Sequence, residues 1–341
     1  YKITFQSVGP NASVNGVYFI SSVEVEQTGL TLKENTIGNI QINQDTLTWT
    51  DTSDDNEYII YITGEDNGVK VLKTITTTEK SYNLSLAKLN GDNDAVYSVT
   101  IKIAGDNVEL ASAVSKQVDF KVLHSISSIS LNNGYVNFEV QEGATSYTVT
   151  FEIASFVYNY VIKKYGDNYR IERVTQVSNG SIIELDKGLE TDMYYENGKI
   201  YLWPVNVTMY TSATVSVKAN GYKQDETTYI SSFAKTYGTV IFKPDTSKAA
   251  RGKVTYDSKL DQTTFTWTTG MSFSFGINIK LYKVVNGVRT EISLNNAQIS
   301  NNKLILNGKL EKGDYEVVIQ IVPKENNYYL KSEWKTLKFT F

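Results

Sequence analysis

Apolar and polar residues alternate one by one along much of this chain, and this pattern restricts the possible folds more than any other feature. It is clearest at 46–50, 97–103, 135–140 and 263–267. Residues two apart in a strand point to the same face of a sheet, so each segment places one face in a core and the other in water. Apolar residues at helical spacing are nearly absent. The pattern predicts an all-β protein built from antiparallel sheets.

Nine Asn-Gly pairs lie between the alternating segments, including Asn90-Gly91, Asn197-Gly198, Asn286-Gly287 and Asn307-Gly308. Both residue types tolerate the positive φ angles that tight hairpin turns require. We therefore expect the chain to reverse direction at these pairs.

One longer pattern occurs four times: an alternating strand, a loop, an apolar residue two positions before a serine, and a second strand. The apolar residue and the serine are Ile20 and Ser22, Leu110 and Ser112, Ile230 and Ser232, and Leu330 and Ser332. Three other segments, 38–49, 126–138 and 252–267, each contain two strands joined by a turn and end in an aromatic residue. Self-similarity at this spacing predicts tandem copies of one domain.

The residues that carry this repeat resemble those of bacterial fibronectin type III-like (immunoglobulin-like) modules. The resemblance lies in Trp49 with Tyr58, in Tyr97 followed by Ser112, and in 143–149, which is similar to the turn into the third strand of that family. It implies tandem antiparallel sandwiches of seven strands and about 90–100 residues each. It also implies that an aromatic residue of the second strand packs across the sandwich and that a tyrosine opens the sixth strand.

The repeats predict four segments. Residues 1–33 contain only the last hairpin of a truncated preceding module, and complete sandwiches are expected at 34–123, 124–243 and 244–341. The middle module is the longest, and its surplus lies between Ser155 and Ser212. Extra hairpins are expected there, around 166–168 and around 197–198.

Composition excludes several classes of function. The chain has no cysteine, so disulfides, thiolate metal sites and cysteine nucleophiles are impossible. Its single histidine, His124, excludes a His-cluster metal site and any Ser-His-Asp triad that is not built on that residue. A net charge of -4 argues against a nucleic-acid partner. No apolar run approaches the ~18 residues of a membrane span, so no membrane insertion is expected. No glycine-rich phosphate loop follows a strand, and no carboxylate pair stands out, so we predict no enzyme, no catalytic residues and no cofactor.

Two loops are rich in the oxygen ligands that calcium binds. Acidic residues cluster at 51–57 and at 90–94, but neither cluster has the spacing of a twelve-residue EF-hand loop. Asp and Asn are common in turns without any metal. We therefore predict no metal site.

The strongest candidate for ligand binding is an aromatic hairpin in the longest module. Its residues are Tyr194, Tyr195, Tyr201 and Trp203. Strand alternation predicts that Tyr195, Tyr201 and Trp203 share one face, where their rings would stack against a sugar. The alternative is that these rings cover the enlarged sandwich or pack on a neighbouring module, as large aromatic side chains usually do.

A second aromatic patch is expected in the loop that contains Tyr328, Tyr329 and Trp334. Aromatic residues at one end of successive modules would contact a ligand or partner repeatedly. Packing against an edge strand is the alternative.

The sequence therefore favours a non-catalytic, monomeric segment of an extracellular bacterial surface protein that presents a binding surface for adhesion. Its partner would be a glycan or a surface protein of a host or partner cell. A carbohydrate-binding array of a polysaccharide-utilisation system and an inert spacer are the alternatives. Fold alone does not decide among them.

Overall fold

The structure is a computed structural model of the 341-residue chain. It describes every residue except 1–2, 6–12, 15–16, 19–24, 30, 33–36, 52–56, 67, 92–94, 106–108, 111–113, 187–191, 205–206, 208–211, 242, 270–274 and 325–328. The prediction of an all-β protein built from tandem antiparallel sandwiches is confirmed. The chain divides into two compact units, residues 1–124 with 220–233, and residues 125–219 with 234–341.

Unit 1 begins with short strands. They are β1 (Ile3–Phe5), β2 (Ser13–Val14), β3 (Val17–Tyr18), β4 (Val25–Gln27) and β5 (Thr31–Leu32). β1 pairs with β4 and β2 with β3, both antiparallel.

The first sandwich follows in the same unit. Its strands are β6 (Gly38–Asn43), β7 (Thr46–Thr50), β8 (Tyr58–Asp66), β9 (Val69–Thr77), β10 (Ser81–Asn83), β11 (Val96–Ile103), β12 (Glu109–Leu110) and β13 (Val118–Val122), with a 3-10 helix at Leu84–Ala87. One sheet has the order β10-β7-β6, and the other contains β9-β8-β11-β13. The hairpin of β23 (Tyr222–Gln224) and β24 (Thr227–Ile230) extends the second sheet beyond β13.

The second sandwich belongs to unit 2. Its strands are β14 (Ile129–Asn132), β15 (Tyr135–Glu139), β16 (Ser146–Ile153), β17 (Phe156–Tyr165), β18 (Asn168–Ser178), β19 (Ser181–Leu185), β20 (Met193–Glu196), β21 (Lys199–Leu202), β22 (Ala213–Ala219) and β25 (Lys235–Ile241). The sheet orders are β14-β15-β21-β20 and β19-β18-β17-β16-β22-β25. β17, β18 and β19 widen the second sheet, and β20 and β21 form a hairpin in the first, so the extra hairpins around 166–168 and 197–198 are confirmed.

The third sandwich completes unit 2. Its strands are β26 (Ala250–Asp257), β27 (Gln262–Thr268), β28 (Phe275–Val285), β29 (Val288–Ile292), β30 (Gln298–Ser300), β31 (Lys303–Asn307), β32 (Asp314–Pro323) and β33 (Lys335–Thr340). Two four-stranded sheets have the orders β26-β27-β31-β30 and β29-β28-β32-β33. The predicted boundaries of the individual modules stay a prediction, because residues 125–219 and 234–341 group as a single unit.

Aromatic contacts across the sandwich are present in all three sandwiches, at the expected residue in the first two and, in the third, at Phe265, two positions before the expected Trp267. Trp49 on β7 meets Tyr58 on β8 edge to face, with ring centres 5.2 Å apart, and Phe138 meets Tyr147 in the same way at 5.3 Å. In the third sandwich Phe265 lies 5.9 Å from Tyr315. Each pair joins the two sheets, so the aromatic residue of the second strand anchors the core.

Two sandwiches contain a tyrosine corner, the hydrogen bond by which a tyrosine near the start of a late strand fixes the preceding turn. The hydroxyl of Tyr97 on β11 donates to the carbonyl oxygen of Asn90 at 3.0 Å. The hydroxyl of Tyr315 on β32 donates to the carbonyl oxygen of Glu311 at 2.7 Å. The prediction that a tyrosine opens the sixth strand is confirmed at Tyr97.

The serine of the repeated pattern has a defined structural role. The Ser332 hydroxyl accepts from the Ile321 amide at 2.8 Å and donates to the Glu333 carbonyl at 2.7 Å. In the first sandwich Ser115 makes the equivalent bonds, accepting from Ile101 at 2.8 Å and donating to the next residue at 3.0 Å. The counterpart of Ser332 is therefore Ser115, three positions after the predicted Ser112, which lies outside the described residues.

The predicted chain reversals are found at several Asn-Gly pairs but not at Asn90-Gly91. At 197–198 and 286–287 both residues have positive φ, as a two-residue hairpin turn requires. Gly91 instead lies in a loop packed against Leu123, where a Cβ atom would come within 2.0 Å of the Leu123 carbonyl oxygen. This glycine is required by a close approach of two backbone segments and not by a turn.

Candidate functional site

The hairpin of β20 and β21 positions the aromatic residues that the sequence singled out. Its register places Tyr194 opposite Tyr201 and Tyr195 opposite Ile200. The rings of Tyr194 and Tyr201 stack in parallel, with centres 4.5 Å apart. Tyr135 on β15 meets Tyr194 edge to face at 5.2 Å. Three tyrosines thus share the outer face of this sheet.

The prediction that Tyr195, Tyr201 and Trp203 share one face is wrong. Directly opposed residues point to the same side of a sheet, and neighbouring residues in a strand point to opposite sides. Tyr195 is therefore on the side opposite to Tyr201, where its ring lies 5.0 Å from Tyr169 of the other sheet.

Trp203 does not belong to an exposed platform either, because its side chain is only 2% exposed. Its indole N–H donates to the carbonyl oxygen of Lys331 at 3.0 Å. The Nζ atoms of Lys243 and Lys331 lie 4.5 and 4.7 Å from the centre of its ring. Trp203 is a packing residue between the second and third sandwiches, as the alternative interpretation holds.

Beside these tyrosines lies an open cleft of about 400 Å³, which is within the range of ligand sites. Strands of the second and third sandwiches line it together, and both belong to unit 2. The lining residues are Asn133, Tyr135, Tyr194, Asn278, Val322, Pro323 and Lys331. The cleft therefore combines two phenol rings and their hydroxyls with two carboxamides and an ammonium group.

Lys331 is held firmly at one side of this cleft. Its Nζ donates to the hydroxyl oxygen of Tyr135 at 2.7 Å and lies 4.1 Å from the centre of that ring. Its backbone N–H donates to the carbonyl oxygen of Gly134 at 3.3 Å. The residue is 8% exposed, so the ammonium group is largely desolvated and fixed in place.

Lys243 is a second buried lysine beside the Trp203 ring. Its Nζ donates to the carbonyl oxygens of Pro204 and Val207, the latter at 2.8 Å, and pairs with Glu333 at 2.8 Å. Buried charges are stable only when they are paired and hydrogen-bonded, and Lys243 meets both conditions.

Burial changes the acid–base properties of these groups. Desolvation lowers the pKa of Lys331 and of Lys243, although Glu333 and Asp192 favour their charged forms. Desolvation raises the pKa of Tyr135, and the carboxylate of Asp192 adds to this effect. Desolvation likewise raises the pKa of Tyr194. Both tyrosines consequently keep their hydroxyl protons at neutral pH and remain able to donate hydrogen bonds.

The second aromatic patch is described only in part. Tyr328 lies outside the described residues. Tyr329 packs edge to face on Phe275 at 5.2 Å, which agrees with the packing interpretation for this residue. Trp334 is 41% exposed, and the Nζ of Lys280 lies 5.6 Å from its ring centre. Tyr329 and Trp334 thus contact different neighbours.

Sequence reasoning missed Lys331, Tyr135, Asn133 and Asn278. One signal was available for Lys331, because it occupies the middle position of the repeated apolar-x-Ser pattern, where the other copies have Ser21, Ala111 and Ser231. A long charged side chain at a position that is otherwise small marks a local difference in function or packing. The other three residues are brought together only by the packing of two sandwiches.

The described part of the chain contains neither a metal-binding cluster nor a helix that could span a membrane. No group of three or more His, Cys, Asp or Glu residues there is arranged to hold a metal ion. Several members of the two acidic loops, at 52–56 and 92–94, lie outside that part. No described helix is long and apolar enough to cross a membrane.

Comparisons with known proteins give a likeness in structure only. No family model and no curated protein matches this sequence. Among solved structures, the crystal structure of the chicken CNTN1 FN1-FN3 domains matches at 15% sequence identity, with a TM-score of 0.23, over 89% of this chain and 98% of that chain. No family membership follows from this match.

Proposed function

We propose that this chain is a non-catalytic segment of an extracellular bacterial surface protein, whose tandem β-sandwiches present a binding surface for adhesion. The cleft beside Tyr135, Tyr194 and Lys331 carries the proposal. It is concave, its side chains are held in place by hydrogen bonds and ring contacts, and it offers aromatic, amide and cationic groups together. Rigid, preorganised contacts of this kind favour binding because little conformational entropy is lost.

Carbohydrate binding, in a polysaccharide-utilisation system, is the second candidate. The stacked rings of Tyr194 and Tyr201 favour it, because Tyr194 is 36% exposed and borders the cleft. Aromatic rings pack against the apolar face of a sugar, while Asn133 and Asn278 supply carboxamide groups for its hydroxyls. A fixed ammonium group at Lys331 would favour sugars that carry a carboxylate or sulfate.

Binding of the purified chain to a glycan array, to mucin and to intact host or bacterial cells tests both candidates. The informative variant is Tyr194→Ala, which removes a partly exposed ring at the edge of the cleft. Tyr165→Ala is the matched control, because Tyr165 is also exposed and has a lysine over its ring, but lies outside the cleft.

The outcomes separate the candidates. Adhesion is supported when cell binding falls at least tenfold in Tyr194→Ala, stays unchanged in Tyr165→Ala, and resists competition by free sugars. Loss of binding in the presence of one class of sugar supports the carbohydrate candidate. Absence of binding to every target would contradict both and favour an inert spacer.

A further inference from the structure

A junction between β-sandwiches is built in the same way at more than one place in this chain. In unit 1, β24 pairs in parallel with β13, so that Ile230 lies beside Val122 and Tyr229 beside Lys121. β12 pairs in parallel with β5 in the same manner, with Leu110 beside Leu32. In both cases a short strand that lies between the last two strands of a sandwich adds in parallel to the edge of a strand that comes earlier in the chain.

The turn between the first two strands of a sandwich forms the second part of this junction. The carboxylate of Asp45, between β6 and β7, accepts the backbone N–H of Ser231 at 2.6 Å. In unit 2 the equivalent turn between β14 and β15 accepts the backbone N–H of Lys331 through the Gly134 carbonyl. Ser231 and Lys331 occupy the same position in the repeated pattern, directly before the serine. One contact therefore recurs from one sandwich to the next in the sequence.

The third sandwich carries the same two elements. Phe339 on β33 pairs with the corner tyrosine Tyr315, as Phe120 on β13 pairs with Tyr97. Thr340 and Phe341 therefore correspond to Lys121 and Val122, the two residues that β24 covers.

The turn after β26 supplies the counterpart of Asp45. The carbonyl oxygen of Asp45 accepts the amide N–H of Leu84 at 2.8 Å, and that of Asp261 accepts the amide N–H of Gly308 at 2.6 Å. Asp261 immediately precedes β27, as Asp45 immediately precedes β7. Its side chain is exposed, as is the neighbouring Leu260, and one carboxylate oxygen, Oδ1, accepts the Tyr256 hydroxyl at 2.7 Å, which leaves Oδ2 to accept a further N–H.

The edge of β33 carries no further strand within the described part of the chain, although the Arg251 guanidinium donates to the carbonyl oxygen of Lys338 on that edge at 3.1 Å, two residues before Thr340. β33 is the last strand of its sheet, whereas β13 is followed by β24. Phe341 exchanges both backbone hydrogen bonds with Gly313, at 2.9 and 3.1 Å, so the N–H and C=O of Thr340 point away from that strand. An open edge of this kind binds an added strand through main-chain hydrogen bonds.

We infer that Thr340, Phe341 and Asp261 form a docking surface for the hairpin between the last two strands of a further fibronectin type III-like sandwich. The occupant is a hairpin with the apolar-x-Ser pattern. Its apolar residue pairs beside Phe341, and the N–H of its middle residue binds the carboxylate of Asp261. This inference does not depend on the proposed adhesive function, because it concerns how modules join and not which ligand they bind.

The test uses the full chain extended directly after Phe341 by a second copy of residues 123–243, which reproduces the linkage after Val122. Because the chain has no cysteine of its own, each variant can carry one pair of introduced cysteines without a competing thiol. The test pair is Asp261→Cys with Ser231→Cys of the added copy. Asp45→Cys with Ser231→Cys in the original chain is the positive control, and Glu291→Cys with the added cysteine is the negative control.

We expect the test pair to form a disulfide at least tenfold faster than the Glu291→Cys pair and at a rate close to that of the positive control. We also expect tenfold slower hydrogen exchange of the Thr340 amide in the extended, cysteine-free chain than in the original chain. A positive control that closes while the test pair matches the negative control would overturn the inference. Unchanged exchange at Thr340 would do the same without any cysteine substitution.

Discussion

The indole N–H of Trp203 donates to the carbonyl oxygen of Lys331 at 3.0 Å, and the Nζ of the same lysine lies 4.7 Å from the centre of the Trp203 ring. The two residues are 128 positions apart and belong to different sandwiches of unit 2. Lys331 also holds Tyr135 at the wall of the cleft. The packing between the two sandwiches and the geometry of the candidate site are thus determined by the same side chains.

Shortening the buried indole should weaken this junction. Trp203→Phe keeps an aromatic ring but removes the N–H that the Lys331 carbonyl accepts, which costs about 1–3 kcal/mol for a buried polar group. Because it also leaves a cavity where the indole was larger, we expect a loss at or above that range. Urea unfolding of the full chain, followed by circular dichroism, measures this loss. Trp334→Phe is the control, because Trp334 is exposed, and its change should stay within about 0.5 kcal/mol. Equal stability of both variants would contradict a role of the Trp203 indole in this junction.

The buried Lys243 should make the stability of unit 2 depend on pH. Burial lowers the pKa of Lys243 in the folded chain, opposed by Glu333 and Asp192 and assisted by Lys331. Between this lowered pKa and the ordinary value of 10.5, the unfolded chain binds a proton that the folded chain has released. The free energy of unfolding therefore rises with pH across that window.

Comparison with Lys243→Met isolates the contribution of Lys243 together with that of the groups coupled to it, Glu333, Asp192 and Lys331, because titrating groups without an interaction with Lys243 act equally in both proteins. The difference in free energy of unfolding, wild type minus variant, should increase as pH rises towards 10.5. The readout is the slope of this difference against pH. Its absolute size is not used, because the variant also loses the hydrogen bonds to Pro204 and Val207. Parallel stability curves would contradict the lowered pKa.

Much of the fold could be predicted from the sequence because its determinants are local. Alternation along one strand and the Asn197-Gly198 turn need only neighbouring residues, and both predictions were right. The register of that hairpin, however, decides which rings share a face, and Tyr195 was placed on the wrong side. Whether Trp203 is exposed depends on Lys331 and Lys243, far away in the sequence. The cleft could not be predicted at all, because two sandwiches build it.

The tyrosine corner of the third sandwich should contribute measurably to its stability. Tyr315→Phe keeps the ring contact with Phe265 but removes the hydroxyl that donates to the Glu311 carbonyl at 2.7 Å. The loss of one such hydrogen bond costs about 0.5–1.5 kcal/mol. Thermal unfolding measures it, and Tyr165→Phe, at an exposed ring, should leave the melting temperature unchanged. A Tyr315→Phe variant with unchanged stability would mean that water replaces the corner hydrogen bond without loss.

Gly91 should be among the least replaceable residues of unit 1. In Gly91→Ala the new Cβ atom would lie 2.0 Å from the Leu123 carbonyl oxygen and 2.9 Å from the Cα atom of His124. Both neighbours are backbone atoms, so the strain cannot be relieved by rotating a side chain, and we expect a loss of about 2–4 kcal/mol or failure to fold. Gly238→Ala is the matched control, since nothing lies within 4 Å of its Cβ position. Hydrogen exchange of the 118–124 segment reports the effect locally: it should accelerate strongly in Gly91→Ala alone, and equal protection in the two variants would show that this close approach is not required.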